Sequence, residues 1–187
     1  MKLCGAGEWL IEKHGTKTRR SWRKLHIGMD ADTGEIVAAV LTTTDVDDAS
    51  QVGPLLDQFD ARLASFTGDG AYDQDSLYRA VTERDPNALV IVPPRATAAL
   101  SETAATEPKQ RDRHLQDIAD RGRIGWRKAS GYTKRSRVET AIGRYKQVIS
   151  DGLRFHKDER RNTEVRVAVR VLNRMSQLGH PTSVRTA

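Results

Sequence analysis

The sequence holds one cysteine, Cys4. An intrachain disulfide is therefore excluded, and so is a zinc site assembled from cysteines, which makes a reducing compartment the expectation. Long apolar runs are missing as well. The longest resemble ALVIV (88–92), far below the roughly 20 residues that span a bilayer. No basic start followed by an apolar stretch marks a signal peptide, so a soluble protein with no membrane partner is expected. Charge of one sign is missing locally: Lys13 to Lys24 contains six Lys or Arg and no acid, whereas Leu25 to Ala61 contains eight acids and no Lys or Arg. Such blocks predict one cationic surface, where a partner docks, and one ordinary acidic face.

What is present fits one domain spanning 1–187, long enough for a real core. A net charge of +6 and a pI near 9.7 point to a polyanionic partner. Residues 22–30 (WRKLHIGMD) and 35–43 (EIVAAVLTT) read as a hairpin turned by Ala31-Asp32-Thr33-Gly34. Residues 47–60 place Val52, Leu55, Leu56 and Phe59 at helical spacing behind a cap at Asp47 or Asp48, and Pro54 moves the regular start one turn later. A strand near 64–67, a helix over 74–84 and a buried strand over 88–92, stopped by Pro93-Pro94, follow. Residues 95–120 read as a mobile loop passing into a helix near 110–120. Helices are predicted over about 136–150 and 163–178, the last with Val165, Ala168, Leu172 and Met175 on one face and Arg166, Arg170 and Arg174 on another. The fold class is α/β, a sheet with flanking helices.

Two acids stand out. Asp69 lies in Gly68-Asp69-Gly70-Ala71-Tyr72-Asp73, at a strand end between glycines, where a ligand can approach closely; an Asx-type turn is the simpler explanation of the same pattern. Glu139 is the only acid among nine Lys or Arg residues from 121 to 146. A salt-bridged first-turn residue favoured by the helix dipole would account for it. The spacing Tyr132, Arg135, Glu139, Lys146, or Y-x2-R-x3-E-x6-K, adds more. In a helix Glu139 and Lys146 share one face about 10 Å apart, a separation that suits a metal-bound scissile phosphate and its neighbour along a strand.

This signature resembles that of the DDE (Asp-Asp-Glu) transposases of bacterial insertion sequences, in particular the family typified by insertion sequence five. GEWLIEKHG (7–15), RRSWRKLHIGMD (19–30), TGDGAYD (67–73), VPPR (92–95) and LNRM (172–175) are also similar to that family, so the resemblance covers nearly the whole chain. It implies a ribonuclease-H-like mixed sheet flanked by helices, and two-metal cleavage and strand transfer of double-stranded DNA at element ends and target. It further implies a homo-oligomer on DNA in a cytoplasmic, nucleoid-associated setting. The cofactor implied is Mg²⁺ or Mn²⁺, a hard cation for which carboxylates suffice. By resemblance Asp69 and Glu139 are the second and third catalytic, metal-ligating carboxylates. Tyr132, Arg135 and Lys146 are the supporting residues that hold the phosphate backbone, Arg135 as a fork and Lys146 as a point charge.

The first carboxylate of that family falls in a segment that would precede Met1, so an N-terminally incomplete domain is expected, lacking most of the first central strand. Impaired catalysis follows from that expectation, and so do exposed strand edges and a marginally stable or aggregation-prone chain, unless residues 1–12 fill the structural gap. Asp30 and Asp32 match non-catalytic hairpin positions. The alternative function is a non-catalytic DNA-binding chain that occupies element ends or modulates full-length transposase. His14 and His26 lack metal-ligand spacing and read as satisfied or solvent-facing residues. Trp9, Trp22 and Trp126 read as partly buried at element junctions, with base stacking the alternative. Gly68–Gly70 lacks the rest of a dinucleotide fingerprint.

Overall fold

The computed structural model of the protein describes residues 1–5 and 22–179. Trp9, His14 and most of the basic stretch beginning at Lys13 lie outside those residues. In chain order the elements are β1 (Lys2–Leu3), β2 (Arg23–Met29), β3 (Ile36–Thr43), α1 (Val52–Leu56), β4 (Ser65–Thr67), α2 (Asp75–Arg84), β5 (Leu89–Ile91), α3 (Gln110–Ala129), α4 (Ser136–Val148) and α5 (Asp158–Gln177). Single 3-10 turns occupy Ala49–Gln51, Gly70–Tyr72 and Tyr132–Arg135. The architecture is mixed α/β, as expected. Its strands form an antiparallel sheet of order β1-β2-β3 and a parallel pair, β4-β5. The chain divides into two compact units, one of Met1–Val46 with Val138–Ala187 and the other of Asp47–Arg137.

In the first unit the hairpin forms where its turn chemistry predicts. The Asp30 carboxylate accepts from the Asp32 and Thr33 N–H groups at 2.7 and 3.0 Å, an Asx turn that reverses the chain locally. Asp30 is thereby engaged in the turn. Register runs from Arg23↔Thr43 to Met29↔Ile36, with a bulge at Gly28/Met29. Leu3 and Lys2 pair with Arg23 and Lys24 as the short strand β1, and Cys4 bridges to Gly152. Leu25 and Ile36 from the sheet pack with Tyr145 of α4 and with Val165, Ala168 and Leu172 of α5. Met175, predicted on that same face, is 45% exposed. The face that α5 buries thus ends at Leu172, one turn earlier than the periodicity indicates. The open edge of β3 is closed by a side chain: the Asn173 carbonyl accepts from Ile36 N–H and its amide donates to Ile36 C=O, both at 2.9 Å. An amide side chain here does what a neighbouring strand would do. His26 is buried and bonded to Thr42 Oγ1 at 2.9 Å, a satisfied histidine as predicted.

In the second unit the Asp47 carboxylate accepts from Ala49 N–H and Ser50 N–H. Pro54 sits in the first turn of α1, where its missing N–H costs nothing. The regular helix covers only Val52–Leu56, shorter than the predicted 47–60. The parallel ladder pairs Ser65↔Leu89, Phe66↔Val90 and Thr67↔Ile91, with α2 as the crossover that parallel strands require. Val52, Leu56, Leu77, Val81, Ala88, Val90 and Val92 make the core. Leu89 is exposed, so strand 88–92 is buried on one face only, not throughout as its apolar run implied. Its free edge is closed in the same manner as that of β3. Val90 N–H donates to Gln110 Oε1 at 2.8 Å and the Gln110 amide donates to Ala88 C=O at 2.9 Å.

Candidate functional site

Asp69 stands just past the end of β4 because Gly68 lets the chain pass two rings. A Cβ at Gly68 would meet Phe66 and Tyr72 at 3.0 Å, and those rings pack edge to face with centroids 5.7 Å apart. Asp69 then caps the turn Gly70–Tyr72, its Oδ1 accepting from Ala71 N–H at 2.9 Å. The Asx-type bond and an outward-facing carboxylate therefore coexist. The other oxygen, Oδ2, faces Arg135 Nη2 at 3.4 Å, and the Asp69 side chain is 44% exposed. Burial, helped by the charges of Asp48, Asp69 and Asp47 and opposed by Arg135, pushes the Tyr72 hydroxyl up to about 12.

Sequence reasoning did not single out Asp73, yet it fixes the turn that holds Asp69. Its side chain is fully buried and accepts a fork from Arg111, at 2.8 and 3.0 Å, plus the Arg95 N–H at 2.9 Å. Burial alone would raise its pKa, but the bonds from Arg111 and Arg95 hold the carboxyl below its ordinary range. Arg95 also reaches the Ala71 carbonyl at 3.4 Å. TGDGAYD and VPPR are thus two halves of one bonded corner. The only signal in the sequence was that Asp73 and Arg95 lie in blocks shared with a known family.

Tyr132 and Arg135 belong to the same unit as Asp69. Both lie in the 3-10 turn that follows α3. The Tyr132 ring rests against Trp126, with centroids 5.5 Å apart, and the Arg127 guanidinium lies 5.8 Å from its centre. Trp126 is 1% exposed, so it is a core residue and its ring is closed to base stacking. Helix α3 runs on to Ala129, beyond the predicted end near 120, across a break at Gly122.

Glu139 and Lys146 belong to the other unit, both on α4, where Glu139 occupies the first turn and Lys146 the last. Both are exposed, and the seven-residue spacing keeps them on one face. Arg144, part of the cationic field around Glu139, donates to the Leu172 carbonyl at 2.6 Å, so it tethers helices instead of facing a ligand. Arg23 pairs with Asp158 at 3.1 Å and Lys24 Nζ donates to Val46 C=O at 2.7 Å. Those two cations of the first basic block serve the fold. Arg166, Arg170 and Arg174 are exposed along α5.

Among the described residues no cluster of three His, Cys, Asp or Glu side chains is arranged to hold a metal ion, and no helix is long and apolar enough to cross a membrane. The donor chemistry of the candidates nevertheless suits a hard divalent cation. Asp69 and Glu139 offer oxygen ligands, and Asp69 keeps free lone pairs beyond its bond to Ala71. Compared with known families, residues 1–175 match the model described as the transposase DDE domain. No solved structure matches the chain.

Proposed function

Because the chain belongs to the transposase DDE domain family, we propose that it is the catalytic domain of an insertion-sequence transposase of the insertion sequence five type. Its substrate is double-stranded DNA, at element ends and target, and its products are cleaved and joined strands. The one family match, residues 1–175, spans the second unit and most of the first, so we take them as parts of a single catalytic domain, acting on DNA as a homo-oligomer. The observation that carries the site assignment is the Asp69–Arg135 pair. A half-exposed carboxylate held at a strand end has, as its partner, the arginine of the Y-x2-R-x3-E-x6-K signature.

Asp69 and Glu139 are the carboxylates that would hold Mg²⁺ or Mn²⁺. When bound, such ions lower the pKa of an attacking water or 3′-hydroxyl and stabilise the leaving oxygen. The remaining work belongs to the chain's own groups. Arg135 pairs with Asp69 in the free protein, and its planar fork can move to a phosphate oxygen when DNA arrives. Tyr132 donates its hydroxyl to the backbone. Lys146, two turns along α4 from Glu139, meets the neighbouring phosphate as a point charge. The test is nicking of supercoiled plasmid by the purified chain with Mg²⁺ or Mn²⁺. Weak metal-dependent nicking, impaired by the lack of a first carboxylate, is expected, and it should fall by roughly a further hundredfold in Asp69→Asn and in Glu139→Gln. A second reading is a DNA-binding chain without chemistry, for which the engagement of the Asp69 carboxylate by Arg135 and Ala71 N–H speaks. Binding that weakens steeply with salt, with no nicking under any metal, would select it.

A further inference from the structure

His114 and Trp126 are twelve residues apart in α3. In an unbroken helix that spacing separates them by about 18 Å along the axis. Instead Trp126 Nε1 donates to His114 Nδ1 at 3.0 Å, and the rings meet edge to face with centroids 5.5 Å apart. The reversal lies at Gly122, whose φ of 71° and ψ of 166° interrupt the helix. That backbone region is essentially open to glycine alone. A Cβ there would meet nothing within 4 Å, so the backbone conformation, and not crowding, reserves the position.

Hydrogen-bond accounting fixes the imidazole between. An indole N–H can only donate, so His114 Nδ1 accepts. The Val90 carbonyl can only accept, and it lies 2.7 Å from Nε2, so Nε2 carries the proton. His114 is thereby a neutral linker from the β5 backbone to the indole. The indole in turn backs the Tyr132 ring, and Tyr132 opens the turn that delivers Arg135 to Asp69.

We propose that Gly122, His114 and Trp126 are positioning residues: the broken helix α3 folds back to set the Tyr132 ring and the turn behind it at the DNA-facing surface. The inference rests on the reading of Tyr132 as a phosphate contact.

The test uses the full chain labelled with ¹⁵N-tryptophan, together with a fluorescein-labelled duplex of mixed sequence at low salt. Trp126→Phe identifies the Trp126 indole cross-peak. Gly122→Ala and His114→Phe are each expected to weaken duplex binding by about fivefold, the scale of one lost hydrogen bond. Combining either with Tyr132→Ala should weaken binding no further than Tyr132→Ala alone, since coupled residues do not add. His114→Gln, which can both donate to Val90 and accept from Trp126, should restore binding. The Trp126 indole peak should move in Gly122→Ala and His114→Phe and return toward its original place in His114→Gln, while a cooperative melt followed by circular dichroism reports that each variant is folded. Additive effects on binding, or an indole peak unmoved by Gly122→Ala and His114→Phe, would overturn the proposal. Should Gly122→Ala fail to fold, the His114→Phe and His114→Gln pair decides. A wild-type chain that binds no duplex would sink the functional reading, and the indole peaks, with Tyr132→Ala added to the series, would still decide the coupling.

Discussion

The two compact units solve one problem alike and another differently. Each leaves a strand edge open, and each closes it with a helix amide, Asn173 on β3 and Gln110 on β5. Their charges differ. In the first unit the carboxylate of the Arg23–Asp158–Arg161 network, Asp158, is well exposed, and the buried charge is the arginine Arg161. The second buries Asp73 and Asp112 and satisfies them with Arg111, Arg95, Ser101 and Lys109. Buried carboxylates stabilise little relative to apolar packing, yet they fix geometry. The unit that invests in them also carries Asp69, Tyr132 and Arg135.

The largest expected effect follows from that contrast. Asp73→Ala should destabilise the second unit by about 3 kcal/mol, because it strands Arg111 without its partner, as measured by urea unfolding. Acid should make the same distinction without mutation. Asp73 is held below its ordinary pKa because the bonds from Arg111 and Arg95 outweigh its burial; Asp112 is held low first by the Ser101 N–H, against burial, with further bonds from Ser101 and Lys109. A depressed native pKa gives stability that is complete above the unfolded value of about 3.9 and is lost as pH falls through the lower native value. Asp158 is lowered too, by Arg23, but its exposure makes the pair worth little. Hydrogen exchange on acidification should therefore open residues 47–137 before the hairpin. Simultaneous opening would break the comparison.

Next in size are the amides. Asn173→Ala and Gln110→Ala should each cost about 1–2 kcal/mol, since each leaves backbone groups of an edge strand unpaired. Thermal unfolding would show whether the two devices are equivalent, and a cost in only one unit would mean that water replaces the other amide. The smallest effect has the opposite sign. Tyr78 has a buried hydroxyl with no hydrogen-bond partner among the described residues, and burial pushes its ionisation further up. Tyr78→Phe should be neutral or stabilise by up to about 1 kcal/mol, read from the same melts.

The hairpin was legible because Asp30 to Gly34 builds its turn from neighbours, and β4, α2 and β5 were legible from short-range patterning. The extent of α3 was not. The helix expected near 110–120 continues past a break at Gly122, and the His114–Trp126 bond that folds it back joins residues twelve positions apart, beyond the reach of local patterning. The Y-x2-R-x3-E-x6-K spacing marked Tyr132, Arg135, Glu139 and Lys146 in one dimension. It could not reveal that Arg135 faces Asp69, 66 positions earlier, or that Arg144 is spent on Leu172. Asp73 escaped notice for the same reason, since its partner Arg111 is 38 positions away and a buried ion pair leaves no periodic trace.

The central claim is that Asp69 and Glu139 are metal-ligating carboxylates of a DNA-processing domain. Its most direct test is Mn²⁺ binding to the purified chain with duplex DNA present, followed by the loss of the free-ion electron paramagnetic resonance signal. Asp69→Asn and Glu139→Gln should each weaken Mn²⁺ binding by at least about tenfold while duplex affinity is kept. Unchanged Mn²⁺ affinity in both variants would contradict the assignment.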